Sequence, residues 1–125
     1  DFVILSQPLY VEGLDPPFNS IYMGSMIESP SSVDMEKKQR EVREQGKFLL
    51  DMIRKNKNVK VIIAGEHHRS SNIPDPVRSD LVHYVVGAIT GTVNDFPQTA
   101  IQTPRFSVLS VYEEKKYSME DVVID

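Results

Sequence analysis

The residues richest in chemistry share one stretch, GEHHRSS at positions 65–71, where Glu66, His67 and His68 are followed by Arg69, Ser70 and Ser71. A histidine beside a carboxylate can titrate near neutral pH and pass protons to and from a bound substrate. Glu66, His67 and His68 are therefore the candidate catalytic group. Arg69 and Ser70, with Ser6 and Gln7 from the start of the chain, are the candidate ligand contacts. A guanidinium and hydroxyls beside a helix N-terminus suit a phosphate or a carboxylate.

Sharper templates fail on spacing. Glu66, His67, His68 and Asp75 offer ligand types suited to zinc, manganese or nickel, but adjacent histidines diverge and no i, i+4 histidine pair exists. No G-x-S-x-G turn presents Ser70 or Ser71 as a nucleophile. Gly65 stands alone, so there is no glycine-rich phosphate cradle, and Asp75 would repel an anion from the helix start that follows. The sequence thus implies no metal and no cofactor, with hydrolysis as the chemistry left to consider.

The elements that must position these residues are legible from hydrophobic pattern. Phe2–Leu5 and residues 59–64 are short, continuous apolar runs rich in β-branched residues, as expected of strands buried on both faces. Between them a helix is expected, starting at Ser29, Ser32 or Asp34 and ending near Asn56. Met35, Val42, Gly46, Leu49, Leu50 and Ile53 recur there at helical spacing. Its first half is polar, and residues 48–53 are expected to carry the packing. Asp75-Pro76 reads as the N-cap and first position of a second helix, with Val77, Leu81, Val82, Val85, Val86, Ile89 and Val93 as its buried face. His83 on that face reads as a satisfied interior histidine. Residues 65–74 then form a loop longer than the usual strand–helix connection. If the two strands run parallel, Ser6 and Gln7 face the Glu66–His68 group at their carboxyl edge, where α/β sheets bind ligands. Ala100 and Ile101 supply further strand residues. Residues 106–112 and a charged turn suggest a hairpin, and residues 117–124 form an edge strand or a short helix.

These elements predict an α/β layered domain, with a mainly parallel or mixed sheet of about four strands and two main helices. At 125 residues the chain is one domain, with 40% hydrophobic and 26% charged residues in a globular balance. It starts at Asp1 and enters apolar sequence at once, which suggests a fragment of a longer protein. Lys and Arg number 14 against 18 Asp and Glu, a net charge of −4 that disfavours nucleic acid and a polybasic membrane contact. The chain has no cysteine, in keeping with cytoplasmic or other reducing surroundings.

The irregular stretch 9–27 holds the largest apolar mass outside regular elements, including Tyr10, Leu14, Phe18, Tyr22 and Met23. Aromatic and methionine side chains around prolines offer contact area to a partner. The function expected from sequence is thus a non-catalytic interaction or assembly domain, binding a protein partner or itself. The alternative is a small-molecule enzyme domain, a hydrolase centred on the loop after residues 59–64.

Overall fold

Phe2–Leu5 and Val61–Ala64 form strands β1 and β2, paired in parallel with Phe2 opposite Val61 and Leu5 opposite Ala64. The computed structural model describes residues 1–14, 32–65, 70–87, 103–113 and 116–124. Its one helix among these, α1 (Ser32–Lys55), carries the chain from β1 to β2. Strands β3 (Ser71–Pro74) and β4 (Val82–Val85) complete a four-stranded mixed sheet in the order β1-β2-β4-β3. There β4 runs parallel to β2, and β3 antiparallel to β4. Strands β5 (Arg105–Val111) and β6 (Tyr117–Val123) form a separate antiparallel pair. No helix among the described residues is long and apolar enough to cross a membrane.

Helical periodicity places α1 correctly. Leu50 and Ile53 are buried, and Val42, Gly46 and Leu49 are half-buried on the same side. They meet Val11, Val59, Ile62, Leu81 and Val85 in the core, with Val3, Leu5, Leu9, Leu14 and Ile73 packed around them. Residues 48–53 do not all face inward, because Phe48 is 71% and Met52 55% exposed. An apolar run longer than the stripe a helix can bury leaves its extra members in water.

The helix stops where its main-chain acceptors are taken over. The N–H of Asn56 donates to the Ile53 carbonyl (3.0 Å), and Asn56 Oδ1 accepts from the N–H of Asn58 (3.1 Å). Arg78 does the rest from the other side of the fold. Its Nη1 donates to the carbonyls of Ile53 (3.1 Å), Arg54 (3.2 Å) and Asn56 (2.9 Å), and its Nη2 to that of Val59. The last carbonyls of a helix have no intrahelical donor, and a cation there also complements the helix dipole.

The second helix expected from Asp75 to Val93 does not form. Residues 71–74 and 82–85 are strands joined by a turn, and the part of that expectation beyond Gly87 lies outside the described residues. The turn does begin as a helix would, with the Asp75 carboxylate accepting the N–H of Val77 (3.0 Å) and of Arg78 (2.8 Å). The N–H of Asp75 then donates to the Leu81 carbonyl (2.7 Å) and that of Leu81 to Arg78 (3.0 Å), closing a hairpin. Val82, Tyr84 and Val85 are strand formers, and β4 gains a ladder on each side from β2 and β3. Of the expected buried face, only Val82 and Val85 lie on β4, Leu81 is buried at the end of the turn, and Val77 is 72% exposed within it, so tertiary pairing overrode the helical spacing. The loop after β2 is consequently residues 65–70, because Ser71 and Asn72 belong to β3. A connection of that length is ordinary, so its length no longer marks it as functional.

At the chain's end, residues 117–124 give a strand, not a helix. Among the described residues, the β5–β6 pair meets the main sheet and the segment after β4 through the following contacts. Phe2 and Tyr117 meet edge to face, with centroids 5.5 Å apart. The hydroxyls of Tyr84 and Ser107 lie 3.4 Å apart. Gly87 admits the Arg105 side chain, since a Cβ there would fall 2.5 Å from Arg105 Cγ. Ala100 and Ile101 lie outside the described residues.

Arg78→Met keeps the packing of the aliphatic stem but strips the last turn of α1 of its donors. The expected loss is about 2–3 kcal/mol of folding stability, read as a lower urea midpoint with an unchanged slope.

Candidate functional site

Leu5, Ala64 and Val85 stand side by side across β1, β2 and β4, so the chain leaves all three strands at one edge of the sheet. Ser6 and Gln7 follow β1, Gly65 follows β2, and Val86 and Gly87 follow β4. A Cβ on Gly65 would lie 3.7 Å from both the Ser6 carbonyl oxygen and Val86 Cγ2. One on Gly87 would lie 3.5 Å from Ser70 Cβ. Ser6, Gln7 and Ser70 are thus gathered on the edge anticipated from sequence. Ser6 and Gln7 also line a groove of about 170 Å³ with Leu9, Tyr10, Val42 and Gly46. Glu66, His67, His68 and Arg69 lie outside the described residues, as do Phe18, Tyr22 and Met23. Tyr10 lies under the Arg43 guanidinium, 4.8 Å from its ring centroid, and Leu14 packs against the core.

A recess of about 930 Å³ opens at the opposite, amino edge of the sheet, lined in part by Phe2, Lys57, Lys60, Lys116 and Tyr117. Lys57 and Lys116 are exposed, and Lys60 Nζ is 2.6 Å from Asp80 Oδ2. Among the described residues, no group of three or more acidic or histidine side chains is placed to hold a metal ion.

The densest polar cluster is one that sequence reasoning missed. Asp75, with its side chain fully buried, lies between α1, the β3–β4 turn and β4. Its Oδ2 accepts from Arg54 Nε (2.9 Å) and from the N–H groups of Val77 and Arg78. Its Oδ1 accepts from Arg54 Nη2 (2.9 Å) and lies 2.8 Å from His83 Nε2. Five donors therefore converge on one carboxylate, and the arginine binds it with both prongs of its fork. Since an ionised carboxylate only accepts, His83 must carry its proton on Nε2 toward Asp75. A sequence signal existed for half of this. Asp75-Pro76 marked a capped turn, and Arg54 lies in the last turn of a helix expected to end near Asn56, but nothing local tied the two together.

Electrostatics keep this cluster in one charge state. Burial opposes the ionised Asp75, but Arg54, His83 and the two main-chain donors outweigh it and bring its pKa from 3.8 down to about 2. Burial pushes His83 below its ordinary 6.5, against the pull of Asp75 and with Arg54 adding to the depression. At neutral pH the cluster is Arg⁺, Asp⁻ and neutral His. An Asp–His pair resembles acid–base machinery, but His83 is 2% exposed, and no substrate atom could reach it. Its chemistry is cohesion: it locks helix to hairpin to sheet. Breaking a buried pair by removing one partner costs about 3–5 kcal/mol, because the other charge is left uncompensated.

No family model matches the chain, and neither a curated protein nor a solved structure is significantly similar to it.

Acidification should unfold the protein in two steps. The unfolded chain protonates His83 near pH 6.5 whereas the folded ring resists until lower pH, so stability is whole above 6.5 and falls as pH drops through the interval beneath it. Asp75 contributes fully above 3.8, and its share is lost as pH falls toward 2. Melting midpoints recorded across this range should show both declines, and His83→Gln should remove the upper one while keeping the lower.

Proposed function

We infer that this domain acts by protein–protein contact or self-association, as a non-catalytic interaction or assembly module of a larger protein. One observation carries the reading: seven of the eleven large hydrophobic side chains exposed among the described residues belong to the β5–β6 pair and the residues that follow its strands. They include Phe106 (42%), Val111 (63%) and Tyr112 (58%). Phe106, Val108 and Tyr112 lie on the hairpin face turned from the main sheet and Leu109 and Val111 on the opposite one, and exposed apolar side chains concentrated on one small element are the kind of surface that marks contact sites. A two-stranded hairpin also gains little stability by itself in water, so a partner on its outer face would complete it.

The alternation of side chains supports a layered body. Val3, Ile62, His83 and Ile73 share the face that meets α1, whereas Phe2 and Tyr84 share the face that meets β6 and β5. Helix and hairpin then each keep an outward surface. On α1 that surface carries Phe48 and Met52, one turn apart. Tyr10 and Leu14, with Phe18, Tyr22 and Met23 beyond the described residues, extend the contact area in this reading. The cysteine-free composition fits a reducing compartment.

The second reading, a small-molecule hydrolase, draws on the convergence of Ser6, Gln7, Gly65 and Ser70 at the carboxyl edge. It assigns Glu66, His67 and His68 the proton transfers, with Arg69 holding an anionic substrate group. Hydrolysis of an ester or phosphoester panel that disappears in His67→Ala and His68→Ala would favour it.

Sedimentation velocity of the wild-type chain over a wide concentration range tests the leading reading. The expected result is a sedimentation coefficient that rises with concentration, and a smaller rise for Phe106→Ser with Val108→Ser. A strict monomer throughout would overturn self-association.

A further inference from the structure

The two edges of the β5–β6 hairpin are unequal. β6 carries Glu120 and Asp121 at its middle, the kind of charge that keeps an edge strand from pairing. β5 carries no charge from Phe106 to Val111, and no proline. Its main chain is also oriented to pair. The N–H of Ile124 donates to the Pro104 carbonyl (2.8 Å) and that of Tyr112 to Lys116 (2.8 Å), so the even-numbered residues of β5 form the hydrogen-bonded pairs with β6. Antiparallel ladders alternate, which turns the N–H and C=O groups of Ser107, Leu109 and Val111 to the other side. Among the described residues no strand pairs with that side.

Resting on the reading of this domain as an interaction module, we propose that a second copy of the chain occupies this edge, with β5 pairing antiparallel to its own copy about a two-fold axis at Leu109. Charge and side-chain character select this occupant and register. Arg105, already paired with Asp121 of its own hairpin (3.0 Å), falls opposite Glu113 of the copy, Phe106 opposite Tyr112, and Ser107 opposite Val111, so no charge meets its like. Ser107 and Tyr117 touch the main sheet, which leaves Phe106, Val108 and Tyr112 on the hairpin's other face. Pairing joins these two outward faces into one four-stranded surface on which Phe106, Val108, Tyr112 and Val122 alternate with Ser110, Lys116, Ser118 and Glu120. The equivalent pairing of β6 with itself about its middle residue would set Glu120 against its own copy, with Asp121 beside it.

Because the chain has no cysteine, single substitutions report the register without background. In the full chain, Leu109→Cys meets itself across the axis at about 5.5 Å between Cα atoms, within disulfide reach. Under mild oxidation it should form covalent dimers faster than Val111→Cys or Met119→Cys by roughly an order of magnitude, because pairing raises the local thiol concentration. Glu113→Arg, on an exposed turn, should weaken association of the otherwise wild-type chain and leave its circular dichroism unchanged. Association of the wild type with cross-links at Phe48→Cys or Met119→Cys, and none at Leu109→Cys, would overturn the β5 edge and leave the interaction reading standing. A strict monomer with no cross-link at any position would overturn both. A monomer that shields residues 107–111 only when another protein's extended strand is added would overturn the second copy as the occupant.

Discussion

A single carboxylate holds this fold together. Asp75 takes two hydrogen bonds from Arg54 on α1, two from the main chain of its own turn and one from His83 on β4. Taking a charge out of water costs several kcal/mol, and only this degree of saturation offsets it. The same turn presents Arg78, whose guanidinium collects the carbonyls at the end of α1. The helix C-terminus, the β3–β4 hairpin and the central strand therefore form one mechanical unit.

That unit explains the division of the surface. At the amino edge, polar groups are consumed internally: Arg54 by Asp75, Arg78 by α1, Lys60 by Asp80. The apolar surplus lies elsewhere, on the outward side of α1 and on the β5–β6 hairpin. A body braced by buried charge pairs can present apolar strands without relying on them for its own stability.

Part of this was legible in the sequence. Phe2–Leu5 and residues 59–64 were legible as strands from their short apolar runs, and β2 is an interior strand as expected, but β1 lies at the sheet edge with Ile4 75% exposed and is not buried on both faces. Val42, Gly46, Leu49, Leu50 and Ile53 gave the buried side of α1 by period alone. Val77 to Val86 misled because its apolar residues keep helical spacing, which the ladders from β2 and β3 overrode. His83 was recognisable as an interior histidine, although a strand and not a helix carries it. Its bond to Asp75, 8 positions away, and that of Asp75 to Arg54, 21 positions away, were not readable, since such contacts depend on how elements pack. The shared edge of Ser6 and Gly65 followed once β1 and β2 were assumed parallel. The length of the loop after β2 was overestimated for want of β3.

In the proposed mode of action, a body braced by the Asp75 cluster works through the open edge of its hairpin. Amide hydrogen exchange followed across a dilution series tests it residue by residue. The amides of Ser107, Leu109 and Val111 should gain protection as concentration rises, while those of Phe106, Val108 and Ser110, already bonded to β6, and those around Leu81 and His83 stay constant. Exchange at Ser107, Leu109 and Val111 that is fast and independent of concentration would contradict the account.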